Sequence, residues 1–338
     1  MKTKLFVGID VSKSWIDVTI LHSSDVKKTD YQQFDNNTKA FESMTKWILA
    51  SSKVKKEEIL FCLEHTGEYS YSLCEYLSQN EYFTWVENPL QIKRSMGVKR
   101  AKNDKIDSLE IAKYAYRFAD KAIAYKMPPK IIKDLQSLEA LRKRLVKTKV
   151  LLEVSANELN ECEMTDFIQD KTKDVVDQIK QKIREVEQKI KELIKQNEEV
   201  NNQYKLCLSV PGIGPQTAIM LIIFTRCFTS FENVRQLACY CGIAPFEQTS
   251  GSSIKTKPRV SNLANKKLKT LLNAGATSLL QHNKETKIFY ERKIQEGKHH
   301  NSIINSIRYK ILNHVMAVIK RGSAYMPTAE YQESKKEA

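Results

Sequence analysis

Short apolar runs set in polar sequence open the chain. Leu5-Phe6-Val7-Gly8-Ile9 is the first, Trp15 to Leu21 is a β-branched second, and Tyr31 to Phe34 supplies a third. Apolar runs of this length bounded by turn-forming residues predict strands. Phe41 to Leu49 changes to helical spacing, Ile59 to Leu63 returns to strand, a helix follows around Tyr69–Leu77, and Phe83-Thr84-Trp85-Val86 is the next strand before Asn88-Pro89 breaks the chain. Strands alternating with helices predict an α/β domain over residues 1–125 with a partly parallel sheet. The short connections between the first three strands predict an antiparallel start.

Residues 126–203 change character. Val176, Ile179, Ile183, Val186, Ile190 and Leu193 recur in a heptad seam, and Leu135, Leu138, Leu145, Leu152 and Leu159 keep a similar register upstream. Two long helices follow, as a hairpin within one chain or as a coiled coil between two. The stretch from Asn160 to Gln169 lacks periodicity and turns the chain. Residues 204–325 return to compact helical patterning punctuated by Gly and Pro, which predicts an all-α domain. Residues 326–338 form a polar, flexible tail.

At 338 residues, two domains and a connector fit the length, and a 41% hydrophobic content supports sizeable cores. The formal net charge of +15 adds a partner class, because such an excess favours a polyanion, usually nucleic acid. Between Gly251 and Tyr325, 15 Lys and Arg stand against only Glu285, Glu291 and Glu296. A one-signed block reads as a phosphate-contacting surface. The seven scattered cysteines fit reduced cytosolic thiols, and no apolar run is long enough to span a bilayer; the expected location is the cytoplasm.

Four carboxylates stand where chemistry can use them. Asp10 ends the first strand, Glu64 ends a later one, and Asp104 and Asp107 sit where a helix should begin. Strand ends of a parallel sheet converge on one edge, and a D-x-x-D pair in a first helical turn shares one face. Such a set suits two Mg²⁺ held roughly 3.5–4 Å apart for phosphodiester chemistry. Taken singly, Asp10 also reads as a turn residue, and Asp104 as an N-cap with Asp107 serving the helix dipole.

In the second half, Leu208 to Ala218, with Gly212 and Gly214, resembles the hairpin of helix-hairpin-helix DNA-binding modules; a plain Gly-rich turn is the alternative. Ser250 precedes a glycine in a basic loop with Lys255, Lys257 and Arg259. A serine so placed can attack phosphorus, although most Ser-Gly loops are merely flexible.

Gly8-Ile9-Asp10-Val11-Ser12-Lys13, Leu63-Glu64-His65-Thr66-Gly67, Asn88-Pro89 and Ala101-Lys102-Asn103-Asp104-Lys105-Ile106-Asp107 resemble the DEDD transposases of the insertion sequence 110 family, relatives of the Piv DNA invertase. Val210-Pro211-Gly212-Ile213-Gly214, Gly242-Ile243-Ala244-Pro245 and Ser250-Gly251 extend the resemblance across roughly residues 4–322. It implies a RuvC-like ribonuclease-H fold, then a coiled coil, then a helical transposase domain. It implies Asp10, Glu64, Asp104 and Asp107 as ligands of Mg²⁺, with Mn²⁺ a possible substitute, and Ser250 as the nucleophile of a covalent phosphoserine step. Donor and target DNA, a bridge RNA pairing with both, and dimers assembling into a tetramer are implied as partners. Nucleic-acid contacts are expected at Lys102, Gly212, Gly214, Lys255, Lys257, Arg259, Lys266 and Lys267. One departure stands out: the family usually has a Lys-Arg-Gly run where this chain has Asn262-Leu263-Ala264.

The competing reading is a two-metal nuclease or Holliday junction resolvase that uses the carboxylates alone. An actin-like sugar kinase also opens with Gly-Ile-Asp, but it needs later Gly-rich phosphate loops that are missing here. A coiled-coil nucleic-acid scaffold has no use for four converging carboxylates.

Overall fold

In a computed structural model the chain divides into two compact units, residues 1–127 and 128–338. The structure describes residues 3–52, 54–64, 67, 69–97, 103–157, 165–250 and 254–327.

The first unit is a five-stranded sheet in the order β3-β2-β1-β4-β5. β1 (Leu5–Val11), β2 (Trp15–His22) and β3 (Asp25–Asp35) run antiparallel; β4 (Ile59–Glu64) and β5 (Phe83–Glu87) extend the sheet in parallel from β1. Every described apolar side chain of β1 is buried, as expected for a central strand covered on both faces. Leu5, Val7 and Ile9 pack into one cluster with Phe41 and Met44 of α1 (Thr38–Ser52) and with Leu73 and Leu77 of α2 (Tyr71–Gln79). On the other face, Phe6 joins Cys62, Trp85, Ile92 of α3 (Pro89–Ser95), and Ile111, Ala112 and Ala115 of α4 (Asp104–Arg117).

Two sequence expectations change here. β3 starts at Asp25, well before Tyr31, because it is a polar edge strand without apolar alternation. Asn88-Pro89 does not only end β5. The Asn88 side chain accepts from the Leu90 N–H at 2.9 Å and Pro89 takes the first helical position, so the pair starts α3.

The pairing of α4 with β1 rests on Gly8. A Cβ at Gly8 would stand 2.2 Å from the Ala112 nitrogen and 2.2 Å from the Ser108 carbonyl oxygen, so only glycine lets the helix lie this close. Thr19, opposite Gly8 on β2, shares a buried 2.8 Å hydrogen bond with Ser108 that fixes the helix in register.

The second unit begins with α5 (Lys130–Asn157) and α6 (Thr165–Gln196). Arg142 pairs with Glu187 at 2.7 Å, and Lys180 with Glu153 at 3.6 Å, so the two helices run antiparallel as a hairpin within one chain. Of the expected turn from Asn160 to Gln169, residues 160–164, Cys162 among them, lie outside the described residues, as does Leu159 before it, and residues 165–169 already belong to α6. α7 (Glu198–Ser209) leads through a tight turn to α8 (Pro215–Thr225), an apolar helix buried along its length from Thr217 to Ile223. α9 (Val234–Tyr240), α10 (Lys266–His282), α11 (Lys284–Gln295) and α12 (His300–Arg321) complete the unit.

The expectation of an all-α second half is corrected. β6 (Pro245–Ser250) and β7 (Ile254–Val260) form an antiparallel hairpin with Ser250 paired to Ile254. β6 carries a single charge among mostly polar residues and β7 alternates Lys255, Lys257 and Arg259 with Thr256 and Pro258, so neither strand shows an apolar period of two. The tail beyond Pro327 lies outside the described residues.

Candidate active site

Gly8 and Asp10 share one face of β1, so the helix that presses on Gly8 brings its own first turn to Asp10. One carboxylate oxygen from each of Asp10, Asp104 and Asp107 lies within 4.8 Å of the other two. Asn103, not Asp104, caps α4 by accepting from the Ile106 N–H at 2.8 Å, which leaves both aspartates of the first turn for the cluster. No lysine or arginine pairs with these three among the described residues.

The cost of gathering negative charge shows on Asp10. Burial first, then Asp107, Glu64, Asp104 and Asp17, push its carboxyl from 3.8 up to about 6. Only a cation, or a proton, relieves such repulsion. Hard, convergent oxygen donors without a protein counter-charge fit a divalent ion of the Mg²⁺ type.

Glu64 is the fourth member by position, ending β4 one residue beyond the Ile9–Leu63 pair. Its charge acts on Asp10, although it is not one of the three that converge within 4.8 Å. Beyond it, Glu87 is engaged elsewhere: it accepts from the Asn88 N–H at 2.6 Å and the Tyr114 hydroxyl at 3.0 Å.

Sequence reasoning missed Asp17. It sits directly opposite Asp10 on β2, is only 2% exposed, and accepts from the Tyr31 hydroxyl at 2.6 Å and the Gln33 amide at 3.2 Å. The hydrogen bond to Asp17, aided by burial, pushes the Tyr31 phenol up to about 12. An acidic residue at an inward position of an apolar strand was the available signal.

The second unit carries the remaining candidates. Gly212 takes φ +86° in the α7–α8 turn and its carbonyl oxygen lies 2.2 Å from where a Cβ on Gly275 would stand, so the turn is pressed against α10. Gly214 is exposed and caps α8 with open space around it. Ser250 ends β6, but its side chain and those of Lys255 and Lys257 lie outside what the structure describes, as do Lys102 and Gly251 entirely. Arg259 is exposed on β7, and Lys266 is exposed at the start of α10. Lys267 instead approaches a buried carboxylate, Glu139 of α5, at 3.8 Å. Glu139 is 3% exposed and also accepts from Gln216 of α8 at 2.7 Å, so it ties three helices together. In the departing segment, Ser261 accepts from the Leu263 N–H at 3.0 Å and Asn265 caps α10, so these residues build a helix start.

Carboxylates gathered on an α/β sheet, followed by a basic helical unit, suit an enzyme that acts on nucleic acid. Comparison bears this out: a sequence pattern described as Transposase, of DEDD type, matches residues 7–158, and one described as Transposase IS116/IS110/IS902 family matches residues 204–291. The chain belongs to this IS110 family of transposases. It is 26% identical over 338 residues to the Pilin gene-inverting protein of Moraxella bovis, covering 96% of this chain and 98% of that one. The Pilin gene-inverting protein of Moraxella lacunata is similar to the same extent, 26% over 338 residues. A Transposase for insertion sequence element IS1111A from Coxiella burnetii is 26% identical over 135 residues, or 39% of this chain and 37% of that one. Membership implies use of a divalent metal. No described helix is long and apolar enough to cross a membrane.

Proposed function

We propose that this chain cuts and rejoins DNA strands at the ends of an insertion sequence through a covalent phosphoserine. The convergence of Asp10, Asp104 and Asp107 from β1 and α4 carries the proposal, with the sheet order β3-β2-β1-β4-β5 in support of a RuvC-like ribonuclease-H fold. Asp10, Glu64, Asp104 and Asp107 would hold Mg²⁺, or Mn²⁺ in its place. When bound, the metal supplies Lewis-acid stabilisation of charge developing on phosphate oxygens. The protein's own part is to hold these carboxylates in place, by the Gly8 contact, the Asn103 cap and the Thr19–Ser108 bond.

Ser250 is the nucleophile in this reading. Its Oγ–P bond forms as the bond to the leaving strand breaks, and the leaving oxygen takes up a proton. The reverse attack by a new strand end rejoins the DNA and frees the serine. Lys255 and Lys257 alternate along the paired strand nearer Ser250, a spacing that suits stabilising charge on the phosphate, while Arg259, paired to Phe246 at the hairpin base, suits a backbone contact farther off. Gly212, Gly214, Lys102, Lys266 and Lys267 are assigned to backbone contacts. A bridge RNA guides donor and target DNA, and dimers assemble into a tetramer.

The test is a strand-exchange assay with adducts resolved on denaturing gels. Wild-type chain gives exchange and a protein–DNA adduct; Asp10→Ala and Ser250→Ala each abolish exchange, and Ser250→Ala gives no adduct. Exchange by Ser250→Ala at the wild-type rate defeats the covalent step and leaves the two-metal nuclease.

A further inference from the structure

A cleft of about 880 Å³ opens between the base of the β6–β7 hairpin, α10 and α12. Four cations line it: Arg259 from β7, Lys269 from α10, and Arg308 and Lys310 from α12. The rest of the polar lining is amide and hydroxyl, including Asn301 and Ser302 in the first turn of α12, and no carboxylate contributes to it. A site lined by four cations and no acid is built for anions.

Arg308 sharpens the argument. One guanidinium nitrogen binds the Asn273 side chain, whereas the buried Nε has no partner. No carboxylate pairs with it among the described residues, and burial pushes its pKa down from the ordinary value. A half-buried cation without a counter-charge is unfavourable until an anion arrives. Lys310 also borders a neighbouring cavity, where its ammonium lies 3.8 Å from the centre of the Phe289 ring.

We propose that this cleft is a binding site for the phosphodiester backbone of DNA, distinct from the acidic cluster and from the hairpin tip. The proposal rests on the reading above in taking DNA as the substrate, but holds whichever residue makes the first attack. Duplex DNA is favoured over RNA because the cleft offers cations, amides and hydroxyls with only Tyr309 as an aromatic, and so little platform for stacking splayed bases. β6 runs five residues from the cleft at Pro245 to the tip at Ser250, roughly 17 Å at about 3.3 Å per residue. Along duplex DNA that is about five phosphates of one strand. The cleft therefore grips the backbone about five nucleotides from whatever bond the hairpin tip addresses.

The experiment measures fluorescence anisotropy of the full chain with a labelled duplex DNA of arbitrary sequence, across a salt series, beside a labelled single-stranded RNA of equal length. Arg308→Gln and the double variant Lys269→Gln/Lys310→Gln are compared with wild type, each checked for an unchanged unfolding midpoint. The double variant should weaken duplex binding roughly tenfold at about 150 mM salt and flatten the log–log salt slope by about 2, one per lost phosphate contact. Arg308→Gln should flatten it by about 1. Wild-type affinity and slope in the double variant, which leaves the Arg308–Asn273 bond intact, overturn the proposal, as does a loss confined to the RNA. Adduct formation by Ser250 is read on separate gels, so the failure of either idea leaves the other standing.

Discussion

Replacing Asp10 by asparagine should inactivate the protein and, without metal, make it more stable. The Asp10 carboxyl rises from 3.8 to about 6 on folding, so the folded chain holds this proton more tightly than the unfolded chain. Stability therefore falls as pH rises from about 4 to 6, and the penalty is complete above pH 6. At face value it is about 3 kcal/mol. Asp10 is only partly buried, so solvent screening reduces this to roughly 1.5 kcal/mol. Asp10→Asn removes the charge and should raise the midpoint of this unit by roughly 4–8 °C at pH 8 in EDTA. The gain should vanish near pH 4. Saturating Mn²⁺ should then reverse the order, since the metal stabilises wild type by mass action and finds a weaker site in the variant. Tryptophan fluorescence reads this unit alone, because Trp15, Trp47 and Trp85 are the only tryptophans and all lie within it. If Asp10→Asn melts at or below wild type at pH 8 in EDTA, the cluster is not electrostatically strained and the argument for a cation fails.

Gly8→Ala should drive α4 off the sheet, lowering stability by about 3 kcal/mol or more and abolishing Mn²⁺ binding together; retained Mn²⁺ affinity would show the close approach is dispensable. Tyr31→Phe leaves Asp17 one donor short and should cost about 1–3 kcal/mol in urea unfolding followed by tryptophan fluorescence. Glu139→Ala leaves Gln216 and Lys267 without their shared partner and should cost about 2–3 kcal/mol, seen by circular dichroism as an earlier loss of helix with tryptophan fluorescence unchanged.

The parts of the fold with continuous or periodic apolar positions were the legible ones. β1, β2, β4 and β5 announce themselves as apolar runs, and the heptads of α6 announce a long helix. Asp10 and the Asp104/Asp107 pair could be found because each stands at the end of such an element. Asp17 gave only the signal of an acid at an inward strand position, because its importance comes from register: it matters because β2 places it across from Asp10, and register is a property of two strands. Glu139 escaped for a similar reason, its partners lying 77 residues away at Gln216 and still farther at Lys267. The β6–β7 hairpin went unread because its strands carry charge where buried strands carry Val or Ile.

The dependence of α4 on a bare glycine also sets an order of events during synthesis. Asp10 leaves the ribosome about a hundred residues ahead of Asp107, and N-terminal segments organise first. Through that interval the strand end carries one carboxylate and no pair to share an ion with. A nascent or truncated chain that ends before Asp104 therefore lacks the three-carboxylate cluster, which is complete only once the helix has docked.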